Sequence, residues 1–178
     1  MLILGVDPGS LVTGYGVIET AGSRFRRLAS GIITMKATDS VAVRLRKVYD
    51  GLIEVIDAHH PDEFCIETAF YGKNIQATLK LGQVRGVAIL AAVHRQLGIA
   101  EYSPREVKRA VTGTGAAAKQ QVEYMVKTIL GVREDFRKSD EADGLAIAIT
   151  HAMQLSTPRA RVRNWESYIK EHPDRIKR

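Results

Sequence analysis

The segment "LILGVD" is an apolar run that ends on a carboxylate, Asp7. A second run, "EFCIE", ends in the same way on Glu67. Between them, Val41, Leu45, Val48, Leu52 and Ile56 fall at three- and four-residue steps, the single apolar stripe of a helix. Asp39 or Ser40 can cap that helix, and His60-Pro61 stops it. A helix joining two buried strands is a crossover, which makes the strands parallel neighbours. Asp7 and Glu67 then lie side by side at the carboxyl edge of the sheet, where open sheets hold ligands. A plainer reading stands beside this one: Asp7-Pro8-Gly9-Ser10 is also a turn that Asp7 merely opens.

The remaining elements fit around this crossover. Gly9, Gly14 and Gly16 punctuate a turn into a second strand, "YGVIET", and "RFRRLASGIITM" reads as a third, completing an antiparallel meander. A long helix rich in Ala, Gly and Val runs from about Ile75 to Leu97, and "IAEY" forms a fifth strand. Ser103-Pro104-Arg105-Glu106 is a capping box. Further helices run from about Lys119 to Leu130, stopped by Gly131, and from Ser139 to about Leu155. The order β-β-β-α-β-α-β-α-α-α predicts an α/β fold. Its sheet is mixed and five-stranded, three strands antiparallel and then two parallel, with helices on both faces.

At 178 residues the chain suits one core-bearing domain, expected over 1–156. The net charge is +6, which suits a polyanionic partner or simply solubility. Four of those charges lie in 157–178, with seven Lys/Arg against three acids. That segment, which carries Trp165, reads as a basic tail, partly disordered. No apolar run approaches the roughly 20 residues of a bilayer span, and no signal peptide is legible. The one cysteine, Cys65, excludes an internal disulfide and a cysteine-built metal site, and reads as a core thiol. A cytoplasmic location is expected. None of the five histidines is paired at a metal-binding helical spacing.

The final helix opens with "SDEADGLAIAITH", where Asp140 and Asp143 share a face and Ser139 is suited to N-cap it. Acids favour a helix N-terminus, so Asp140, Glu141 and Asp143 also have a purely local explanation. If the helix docks with this end toward Asp7 and Glu67, four carboxylates converge and need a counter-charge. A lysine could supply it, as could hard divalent cations that take oxygen ligands. Two such ions about 4 Å apart suit in-line attack on a phosphodiester.

Five blocks, "GVDPGSLVTGYGVIE", "CIETAFYGKN", "LKLGQVRGVAILAAV", "VKRAVTGTGAAAKQQV" and "DEADGLAIAITHA", together resemble the RuvC family of Holliday-junction resolvases. The resemblance covers roughly residues 1–153, in order and in register. It implies a ribonuclease-H-like fold and a homodimer that makes paired, symmetric nicks at four-way junction DNA in recombination and repair. It implies Mg²⁺ as cofactor, two ions per site with Mn²⁺ able to substitute, and a branch-migration helicase complex of RuvA and RuvB type as partner. The family's catalytic, metal-binding acids fall on Asp7, Glu67, Asp140 and Asp143. Glu141 is an extra acid with no assigned role.

The same resemblance gives Phe70 a base-stacking role that Tyr71 could share, against the alternative of a core aromatic. Lys108 and Lys119 match basic positions near the scissile phosphate, against the alternative of solvated helix charges. Lys119 starts a helix, where a cation is mildly unfavourable, which favours a functional role. Lys73, Arg85, Arg105 and Arg109 are candidate DNA-backbone contacts. The small-residue helix near 80–93 is the candidate dimer interface. Three rivals remain. An ATP-binding module of related sheet topology would need a second lobe, which this length does not provide. A non-catalytic junction-binding protein would not need four acids, and another nuclease of the same fold would prefer a different substrate.

Overall fold

The computed structural model describes residues 1–22, 24–68, 74–136 and 138–156. Ten elements follow the predicted order: β1 (Leu2–Asp7), β2 (Val12–Ala21), β3 (Arg24–Thr34), α1 (Val41–His59), β4 (Glu63–Glu67), α2 (Ile75–His94), β5 (Gly98–Tyr102), α3 (Pro104–Thr112), α4 (Lys119–Leu130) and α5 (Ser139–Ser156). The strands form one five-stranded sheet in the order β3-β2-β1-β4-β5. β1 pairs antiparallel with β2 and β2 with β3. β1 runs parallel to β4 and β4 to β5, because helices α1 and α2 carry the crossovers. The basic tail, 157–178, lies outside the described residues, as do Phe70, Tyr71 and Lys73.

Side-chain alternation along the strands feeds two cores. Leu4, Val6, Phe64 and Ile66 pack with α1 and α2 on one face. Ile3 and Cys65 pack with α3, α4 and α5 on the other. All six are fully buried, and each large apolar side chain among them contributes roughly 1.5–3 kcal/mol. Cys65 is the core thiol its place in the strand predicts, and its Sγ lies 3.4 Å from the carbonyl oxygen of Leu4. Burial pushes its pKa well up.

Local chemistry sets the helix ends. The Ser40 hydroxyl accepts from the Val43 N–H and caps α1, and His60 ends it in the left-handed region at φ 46°. Val41, expected to open the buried stripe, stays 40% exposed. The Ser103–Glu106 capping box is present in both directions. Gly131 stops α4 with φ 64°. α2 stops at His94, three residues short of the expected end, because the Leu97 N–H turns back to the Ala92 carbonyl and Gln96 adopts φ 57°.

Two glycines have a different role from the one their sequence context suggests. Gly14 and Gly16 are not turn residues: they lie inside β2, which begins at Val12. A Cβ on Gly14 would stand 2.0 Å from the Asp140 carbonyl oxygen, and one on Gly16 would enter Leu145. Gly144 answers from the helix, where a Cβ would meet the Tyr15 backbone at 2.6 Å. The strand and helix are bare at the same points, so α5 lies directly on the sheet. That contact fixes where the first turn of α5 sits.

Candidate active site

Asp7 and Glu67 continue the alternation of their strands and so emerge on the α5 face, beside Ile3 and Cys65 in phase. The parallel register pairs Val6 with Ile66, which leaves the two acids as neighbours at the sheet edge. α5 brings Asp140 and Asp143 to the same edge. Ser139 is the first residue of α5 rather than its cap. Asp7, Asp140 and Asp143 each offer a carboxylate oxygen, and these atoms lie within 4.8 Å of one another. Glu67 joins the group by a hydrogen bond with Asp7.

This crowding changes the acid chemistry. Burial is the largest cause that pushes the Asp7 pKa up to about 8, and the charges of Glu67, Asp143 and Asp140 add to it. Burial likewise raises Glu67, although the hydrogen bond from Asp7 works the other way. Burial raises Asp143 against the opposing pull of Lys119. Between the strand acids, Asp7 holds the proton and donates it to Glu67.

Lys119 is the first residue of α4, whose cap, Ala118, makes no side-chain hydrogen bond. A cation there loses a few tenths of a kcal/mol to about 1 kcal/mol against the helix dipole. Its Nζ sits 2.6 Å from Asp143 Oδ2, which offsets that loss. Burial would lower the Lys119 pKa, but the hydrogen bond and charge of Asp143 outweigh it and the net shift is upward. Lys108 projects from α3 into the same cavity, which measures about 190 Å³. Val107, Val122 and Ile147 wall it. Arg105 and Arg109 stand exposed on α3, and Arg105 packs over Gly115. Arg85, on α2, pairs its guanidinium with Glu101 on β5 at 2.5 Å.

Glu141 does not join the cluster. It is buried on the other side of α5, where the Ser30 hydroxyl donates to it at 3.2 Å. Local sequence around Glu141 carries no sign of this, because the partner lies more than a hundred residues away on β3.

The donor set fits a hard divalent cation. It supplies only carboxylate oxygens, crowded enough that protonation must otherwise relieve them. Asp7, Asp140 and Asp143 would hold such an ion, with Glu67 adjoining.

A ribonuclease-H-like sheet with clustered acids at its carboxyl edge and lysines over them defines a nuclease. The family model described as "Crossover junction endodeoxyribonuclease RuvC" matches residues 3–151. The chain belongs to that family. A relative of that name from Salinibacter ruber is 44% identical, over 99% of this chain and 99% of its own length. Another from Photorhabdus laumondii is 51% identical over 84% of this chain and 86% of the relative. Among solved structures, T. thermophilus RuvC in complex with Holliday junction substrate superposes with a TM-score of 0.82 at 31% identity, covering 88% of this chain and 95% of that one. Among the described residues no helix is long and apolar enough to cross a membrane.

Proposed function

We propose that this chain resolves four-way DNA junctions by Mg²⁺-dependent hydrolysis of one phosphodiester in each of two like-polarity strands. The products carry a 5′-phosphate and a 3′-hydroxyl. The observation that carries this reading is the convergence of Asp7, Asp140 and Asp143 within 4.8 Å, beside Glu67 and beneath Lys119. The T. thermophilus relative, solved with a Holliday junction, supports the choice of substrate.

Bound divalent cations supply Lewis acidity at the phosphate and acidify the attacking water. The chain's own residues do the rest. With such a cation bound, Asp7 and Glu67 would both stand as carboxylates. Asp143 holds the Lys119 ammonium by a 2.6 Å contact, so its remaining N–H donors face the cavity. There Lys119 and Lys108 would offset the extra charge on the transition-state phosphate. Arg105 and Arg109 would contact the DNA backbone, as would Lys73. Phe70 and Tyr71 would stack on unpaired bases at the opened junction centre. Arg85 is left out of the backbone set because Glu101 already holds its charge.

A homodimer matches the two-fold symmetry of the substrate. α2 supports it with one exposed apolar stripe: Ile75, Leu79, Leu90 and Val93 flank Gly82 and Gly86, where an added Cβ would meet no other part of the described residues within 4 Å. The opposite face of the helix, Val84, Ala88, Ala91 and Ala92, is buried in the core. Action alongside a branch-migration helicase complex, in the cytoplasm, follows from family membership alone.

The test is cleavage of a synthetic four-way junction, a linear duplex and an RNA–DNA hybrid, each with and without Mg²⁺. Paired nicks in the junction alone, and only with Mg²⁺, support the proposal. Preferential cutting of the hybrid would favour another nuclease activity of the same fold.

A further inference from the structure

A small notch opens on the α1–α2 face of the sheet, just behind the β1–β2 turn. Ser10, Arg44, Lys80 and Gln83 line it, over a floor made by Leu45 and Val84. No carboxylate lines it among the described residues. Arg44 Nε is buried and has no hydrogen-bond partner there. Arg44 makes no ion pair among the described residues, so its outer nitrogens are left for an anion at the mouth of the notch. Neighbouring cations are already engaged. Arg46 pairs with Asp50 and Lys47 with Asp39.

We infer that the mouth of this notch, whose interior of about 10 Å³ has room for one water, takes a DNA phosphate one to three nucleotides from the cut. The ligand chemistry follows from the donors. Arg44 offers its guanidinium, Lys80 a mobile ammonium, and Ser10 and Gln83 neutral N–H and O–H groups, which suit a tetrahedral anion. Val41, at the first turn of α1, also lines the notch, so the positive end of that helix faces it. The position follows from the chain. Ser10 is three residues beyond Asp7, so the notch lies within about 10 Å of the acids along the backbone. At about 3.4 Å of rise per nucleotide, that spans one to three phosphates. The acids occupy the α5 face of the β1–β2 turn and the notch the opposite face. A strand crossing the turn would be gripped on one side and cut on the other. Lys80 and the buried Val84 face α1, while Gln83, four residues after Leu79, borders the exposed apolar stripe of α2.

This inference rests on the proposed junction substrate, and its test separates the two. Methylphosphonates replace single phosphates, one at a time, near the cut in a synthetic junction. Binding is measured with Ca²⁺ for the wild type, for an Arg44→Gln/Lys80→Gln double variant, and for an Arg46→Gln control. One neutralised position should weaken wild-type binding by about tenfold and leave the double variant indifferent. On the unmodified junction the double variant should lower the slope of log K against log salt by about one to two, and Arg46→Gln should not change it. If the wild type binds and cuts the unmodified junction, yet both proteins share one position profile and one salt slope, the notch assignment alone fails. If the wild type neither binds nor cuts it, the junction reading fails and the notch assignment with it.

Discussion

Gly14 and Asp140 touch backbone to backbone: a Cβ on Gly14 would come within 2.0 Å of the Asp140 carbonyl oxygen. The second strand is bare at that point so that the first turn of α5 can rest on it. Gly14→Ala should therefore displace Asp140 and Asp143 from Asp7. Equilibrium unfolding should show a loss of about 1–3 kcal/mol. Cleavage at saturating junction should fall further than that loss of folded protein explains.

The Lys119–Asp143 contact of 2.6 Å leads to a second expectation. Lys119→Ala should slow single-turnover cleavage by about 10²–10³, the usual effect of removing one donor to transition-state charge. Junction affinity should change much less, because one exposed cation among many contributes little to binding. Lys119→Arg, which keeps the charge, should recover part of the rate.

The raised Asp7 pKa makes a prediction about stability in the absence of metal. A carboxyl with pKa about 8 folded and 3.8 unfolded binds its proton more tightly in the folded chain. Stability without metal should therefore fall as pH rises from about 4 through about 8. At pH 7.5 Asp7→Asn should raise stability by ~1 kcal/mol or more, a few degrees in Tm. Added Mg²⁺ should raise the Tm of the wild type and have little effect on Asp7→Asn. Thermal melts of both proteins at several pH values, with EDTA and with Mg²⁺, check the signs.

The exposed stripe of α2 predicts the assembly. Leu79 is 57% exposed and Leu90 46% exposed among the described residues. Leu79→Glu with Leu90→Glu should convert a dimer to a monomer in sedimentation velocity. The monomer should lose paired nicking of the junction while its fold, read by circular dichroism, persists.

Strand order, helix order and the meeting of Asp7 with Glu67 were legible because they follow from local periodicity and one crossover rule. The capping box at Ser103 was legible because it is contained in four consecutive residues. Gly14 and Gly16 were misread as turn residues because a glycine looks the same in sequence whether it bends a chain or clears room for a helix. What decides between the two is Gly144, over a hundred residues away. The burial of Glu141 against Ser30 and the pairing of Arg85 with Glu101 were hidden for the same reason. Each is a contact between elements whose approach depends on the finished packing.

The central claim is that acids from β1, β4 and α5 form one cation site. Anomalous diffraction from a crystal soaked in Mn²⁺ tests it most directly. The account predicts anomalous density between the carboxylates of Asp7, Asp140 and Asp143, lost in Asp7→Asn. Saturating Mn²⁺ that leaves those carboxylates without density, or density that persists unchanged in Asp7→Asn, would contradict it.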